Sequence, residues 1–139
     1  MPTLLGFDFG TARIGVAVGE TETGMAQALT VIEHKENAQR FSEIGKLITE
    51  WRPASLVVGL PTTMDGLEHD MTLRCRRFAN QLHGRFDLPV QLMDERLTSS
   101  EADDMLKARG MNWRQRKRHI DALAAQRILQ SYLDTHGTA

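Results

Sequence analysis

The stretch Leu4-Leu5-Gly6-Phe7-Asp8-Phe9-Gly10 carries the pattern on which the fold turns. Leu5, Phe7 and Phe9 alternate with Leu4, Gly6 and Asp8, the two-residue period of a strand whose faces differ. Asp8 breaks the apolar character, and desolvating a carboxylate inside a strand is costly unless it is paired or bound to a cation. Gly6 and Gly10 on either side would let another backbone or a ligand come close. Two readings stand side by side: Asp8 on a central strand holding a metal, or an acid at a strand end capping a turn.

Working outward, Gly10 to Arg13 reads as a tight turn, and Ile14 to Gly19 alternates large and small residues as a returning second strand. Leu29, Val31 and Ile32 mark a third strand over Ala26 to Ile32, and the short connections favour antiparallel pairing of all three. Phe41, Ile44, Leu47, Ile48 and Trp51 then recur at helical spacing and stop before Pro53. Leu56-Val57-Val58, within Ser55 to Leu60, has the continuous apolar character of a buried parallel strand. A loop over Pro61 to Gly66 leads to a helix from about Glu68 to Leu82. Cys75 lies on its apolar stripe with Met71, Phe78, Ala79 and Leu82, a packing position rather than that of a nucleophile. Leu88 to Met93 forms a fifth strand ending at Asp94-Glu95. Thr98 and Glu101 form a capping box for a short helix that stops at Gly110. A basic loop then precedes a last helix from about Arg118 to Leu133. This order predicts an α/β fold, a five-stranded mixed sheet flanked by helices.

A chain of 139 residues suits one domain over 1–139. Its 41% hydrophobic and 25% charged residues are those of a globular protein. No window approaches the roughly 18 apolar residues of a membrane span, and no secretory pattern opens the chain, so a cytoplasmic protein without membrane attachment is expected. The single Cys75 excludes an internal disulfide. Net charge is −1, which argues against indiscriminate polyanion binding. The charge is nevertheless segregated. Lys107, Arg109, Arg114, Arg116, Lys117 and Arg118 run together without an acid, and Arg74, Arg76 and Arg77 form a second group. Basic patches of this kind serve as solvated faces or dock phosphates beside an acidic site.

Three acidic positions stand apart from the surface charge. Asp8 is one. Asp94 and Glu95 end a strand just before a helix start, where ligands gather in parallel sheets, and strand alternation sends them in opposite directions. Either could be the one that reaches a shared site. Asp121 shares a helical stripe with Ala124, Ala125, Ile128 and Tyr132, small near the acid and bulky beyond it, so this end of the helix can lie close to the sheet. If Asp8, Glu95 and Asp121 converge, a pair ~4 Å apart would repel by roughly 4 kcal/mol at an effective dielectric near 20. A divalent cation relieves that repulsion, and all-oxygen donors select Mg²⁺ or Mn²⁺. The five histidines and Cys75 show no zinc spacing. Carboxylate-held ions of this kind serve phosphodiester hydrolysis. Neither a Ser-His-Asp arrangement nor a P-loop is present.

With these residues assembled, the sequence resembles the YqgF (RuvX-like) family of the ribonuclease H-like fold. The likeness covers nearly the whole chain. It rests on Gly6 to Thr11 running into Arg13 to Val18, on Val58-Gly59-Leu60-Pro61 followed by Met64-Asp65-Gly66, on Asp94 to Thr98 with Glu101-Ala102, and on Ile120-Asp121 with Ala124-Ala125 and Ile128-Leu129-Gln130. Ala12 stands where a lysine is common, and Thr62-Thr63 where Leu-Asn is common. The resemblance implies a metal-dependent nuclease acting in maturation of the 5′ end of pre-16S rRNA, with Asp8, Glu95 and Asp121 as catalytic metal ligands. Arg13, Arg96, Arg114, Arg116, Lys117 and Arg118 would meet the nucleic acid. Holliday junction resolution on branched DNA is the alternative activity, and a homodimer would suit it. A non-catalytic ribosome-assembly factor is the reading from another class. An actin-like ATPase would need a second domain that a chain of this length lacks.

Overall fold

Antiparallel pairing joins the first three strands, as the short connections require. In the computed structural model, which describes residues 2–10, 12–61, 69–95 and 113–136, β1 (Thr3–Phe9), β2 (Ile14–Glu20) and β3 (Met25–Ile32) form this meander. β4 (Ser55–Pro61) then adds parallel to β1, and β5 (Val90–Glu95) parallel to β4, giving the sheet order β3-β2-β1-β4-β5. β1, carrying Asp8, is the central strand. Among the described residues the helices are α1 (Asn37–Trp51), α2 (Asp70–Phe86) and α3 (Trp113–His136). The side chains at 95, 113–120 and 136 lie outside the description, as do the capping box at Thr98 and Glu101, the short helix before Gly110 and the loop over 62–66.

Strand alternation sorts the core into two layers. Leu5, Phe7, Ile14, Val16, Val18, Ile32, Leu56, Val58 and Leu60 face α1 and α2, where they meet Phe41, Ile44, Cys75, Phe78 and Leu82. Leu4, Ala17, Ala26 and Val57 face α3 and meet Ala125, Ile128, Leu129 and Leu133. The α3 face is built of small residues. Cβ atoms added at Gly6 or Gly59 would fall 2.8 Å from Leu129 Cβ or 2.3 Å from Ile128 Cδ1. The helix therefore lies nearly on the backbone of the sheet.

Several boundaries differ from the sequence reading: β5 begins at Val90 rather than Leu88 and includes Asp94 and Glu95, and the last helix runs on past Leu133 to His136. α2 runs through Gly84 to Phe86, because the left-handed residue that closes it is Asp87 (φ 54°), whose N–H bonds to the His83 carbonyl. The basic segment expected as a loop before residue 118 is helical from Trp113. Nothing between Gly110 and Gly137 breaks a helix, and arginine, lysine and glutamine favour one. No helix among the described residues is long and apolar enough to cross a membrane.

α3 also covers the outer edge of β3. Gln130 Oε1 accepts from Ala26 N–H at 2.9 Å, and its Nε2 donates to the Gly24 carbonyl at 2.8 Å. Gln126 Nε2 donates to the Ala26 carbonyl at 3.0 Å. These bonds satisfy edge groups that would otherwise be open to another strand.

Candidate active site

Register brings the first and last acids together. Asp8 pairs across the β1–β2 ladder with Gly15, so the two positions project to the same face of the sheet, the one covered by α3. Above Gly15 lies the backbone of Asp121: a Cβ at position 15 would be 1.9 Å from the Asp121 carbonyl oxygen and 2.5 Å from its carbonyl carbon. Directly opposed residues on antiparallel strands are about 5 Å apart. Asp121 thus sits beside Asp8 because residue 15 has no side chain. Asp8 is half-buried, and the Asp121 side chain is 22% exposed.

The parallel ladder separates the two acids at the end of β5. Asp94 pairs with Leu60, in the layer facing α1 and α2, and is exposed. Glu95 pairs with Pro61 and shares the parity of Met93, which packs against the α3 layer. Position 95 therefore belongs to the face of Asp8, two strands away, or about 10 Å laterally. Its side chain is outside the described residues.

Arg13 reaches Asp121. Its Nε lies 2.9 Å from Asp121 Oδ2, with the two side chains 25% and 22% exposed. The turn before Arg13 is closed so tightly that a Cβ at Gly10 would fall 2.5 Å from the Arg13 carbonyl oxygen. From the other layer, Arg40 on α1 donates through Nη2 to the Gly10 carbonyl at 2.8 Å and through Nε to the His34 carbonyl at 2.6 Å. It is only 3% exposed and lies 5.4 Å from the centroid of the Phe9 ring. Burial holds its pKa below the usual arginine value. Arg114, Arg116, Lys117 and Arg118 occupy the helical turns leading to Asp121, with side chains outside the described residues, and Arg96 is wholly outside them.

Asp8 also makes itself felt across the strand. The Cys75 thiol is pushed up to about 12, first by burial and then by the negative charge of Asp8. At 1% exposure this thiol is a packing group, as its place on the apolar stripe of α2 requires.

The donor set suits a hard cation, being all carboxylate oxygen. Among the described residues no three His, Cys, Asp or Glu side chains form a metal-holding group. Asp8 and Asp121 are two such acids on one face of the sheet, and position 95 has the parity to face the same way.

Comparison with known proteins gives this geometry a lineage. The sequence model of the RuvX family, described as Holliday junction resolvase, matches residues 2–135. The chain belongs to the RuvX family. A relative in Methylobacillus flagellatus, named "Putative pre-16S rRNA nuclease", is 54% identical over 131 residues, 94% of this chain and 90% of that protein. One of the same name in Burkholderia lata is 53% identical over 132 residues, covering 95% and 89%. Among solved structures, Thermus thermophilus RuvC in complex with a Holliday junction substrate aligns with TM-score 0.54 at 15% identity, over 99% of this chain and 98% of that one. The fowlpox virus resolvase with Holliday junction DNA aligns with TM-score 0.54 at 6% identity, over 96% and 97%. These likenesses establish the ribonuclease H-like fold for this RuvX chain.

Arg40 and Gln126 were not singled out from sequence, and Gly15 and Gln130 entered only as members of motifs, without the packing and edge-covering roles they have here. Gly15 had a signal in the small-residue parity of Gly15, Ala17 and Gly19. Arg40 had one as well, since it falls on the apolar stripe with Ile44, Leu47 and Trp51.

Proposed function

We propose that this RuvX protein is a metal-dependent nuclease that hydrolyses phosphodiester bonds in the 5′ maturation of pre-16S rRNA, with residues 1–139 acting as one domain. The observation that carries the proposal is the seating of the Asp121 backbone on Gly15, the cross-strand partner of Asp8. Relatives more than 50% identical bear the name of a pre-16S rRNA nuclease, which supports the choice of substrate.

In this reading Asp8, Asp121 and Glu95 hold Mg²⁺ or Mn²⁺ at the carboxyl ends of β1 and β5. Such an ion, when bound, makes hydroxide available near neutral pH and stabilises the leaving oxygen. The protein's part is to fix the carboxylates on rigid elements and to exclude alternative donors such as Cys75. Arg96, Arg114, Arg116, Lys117 and Arg118 would meet the phosphates flanking the scissile bond. The test is cleavage of a 16S precursor with Mg²⁺ or Mn²⁺. Wild-type protein should cut, and Asp8→Asn should bind the RNA and unfold as a cooperative native protein while failing to cut. Wild-type turnover in Asp8→Asn would exclude the assignment.

The description of the matching family favours a second reading, resolution of branched DNA. Cutting a four-way junction at two symmetric points would call for a homodimer. Junction and precursor RNA compared at one salt concentration separate the two, since phosphate binding depends steeply on salt.

A further inference from the structure

We propose that Arg13 is a positioning residue for Asp121, holding that carboxylate oriented toward the Asp8 side of the sheet, rather than a phosphate contact. The inference rests on the carboxylate-site reading above and deepens it.

Both ends of the Arg13–Asp121 pair are mounted on fixed backbone, unlike an ordinary surface ion pair between two mobile side chains. At one end, the Asp121 backbone is wedged against Gly15. At the other, the turn presenting Arg13 is closed against Gly10, whose carbonyl is held by Arg40 from the opposite layer. Arg40 is itself buried, bonded to His34 and laid against Phe9. A continuous set of contacts thus runs from α1 through the β1–β2 turn to the Asp121 Oδ2 atom. The 2.9 Å contact uses Nε, the guanidinium nitrogen nearest the backbone and least free to wander. A carboxylate held in this way keeps its orientation whether or not a cation is present. Hydrogen bonds to a ligating carboxylate typically change metal affinity 10–100-fold when removed.

The experiment compares the full-length protein with Arg13→Gln and Arg13→Lys, without nucleic acid or turnover. Free Mn²⁺ is followed by electron paramagnetic resonance, and cooperative thermal unfolding of the apo proteins checks the fold. Both variants should bind Mn²⁺ about 10–100-fold more weakly, because lysine keeps the charge but not the Nε geometry. Binding of a 16S precursor in EDTA should stay within about twofold of wild type. Unchanged Mn²⁺ affinity in Arg13→Gln, with RNA affinity lowered, would overturn the proposal in favour of a phosphate contact. Tighter Mn²⁺ binding would overturn it in favour of Arg13 as a competing cation. Arg13→Lys matching wild type would show that charge alone suffices and remove the orienting role. Should wild-type protein bind no Mn²⁺, the carboxylate-site reading itself falls, an outcome distinct from loss of the Arg13 role alone.

Discussion

Gly15 makes the site with an atom it lacks. A methyl group there would meet backbone, which cannot rotate away, so α3 would have to lift at Asp121. Overpacking typically costs 1–3 kcal/mol. Gly15→Ala should therefore sit near the top of that range, about 3 kcal/mol, in urea denaturation, and its Mn²⁺ affinity should fall with stability. Cys75 offers a pH test. Its thiol ionises near pH 9 in the unfolded chain and only at about 12 in the native one, so raising the pH draws protons from the unfolded state first. That share of stability is intact below pH 9 and is lost between pH 9 and 12, by at most about 1.4 kcal/mol per pH unit. Denaturation midpoints across this range should fall less steeply in Cys75→Ala than in wild type. Asp8→Asn should bring the thiol pKa partway down, because it removes the nearby negative charge.

At the level of elements, α1 does more than cover the sheet. Replacing Arg40 with alanine would take the donor from the carbonyls of half-buried Gly10 and of exposed His34 and empty the space beside Phe9. A hydrogen bond from a charged donor contributes about 1.5–3 kcal/mol, so Arg40→Ala should lose roughly 3 kcal/mol in urea titration. The pair Gln126 and Gln130 on α3 should matter locally. In Gln130→Ala, the Ala26 amide should exchange its hydrogen faster in deuterium while amides in β1 keep their protection. The elements themselves were legible, because alternation in β1 and β2 and the helical stripe of α1 are signals local to a few residues. The reach of Arg40 to Gly10 was not, since it depends on how α1 docks 30 positions away. The parity of Asp94 and Glu95 was visible as an alternation, but only the β4–β5 register says which face is which. Helicity of the basic run from Trp113 was hidden by its charge, which resembles that of a solvated loop as much as that of a helix flank.

The whole molecule is a sheet with unequal sides. The α1–α2 side carries the large aromatic and aliphatic contacts, including Phe7, Phe9 and Phe41 around Phe78, and supplies the main apolar burial. The α3 side is shallow and small-residued, and Asp8 and Asp121, the described acids of the proposed site, lie there. Ligand linkage turns this into a measurement. Mn²⁺ at about 100 times its dissociation constant should add about 2.7 kcal/mol, a rise of roughly 10 °C in melting temperature for a chain of this size, and little in Asp8→Asn. The order in which the pieces arrive has a consequence during synthesis. Residue 8 is made more than a hundred residues before residue 121, so a growing polypeptide holds only one member of the acidic pair until α3 has emerged and settled on Gly15.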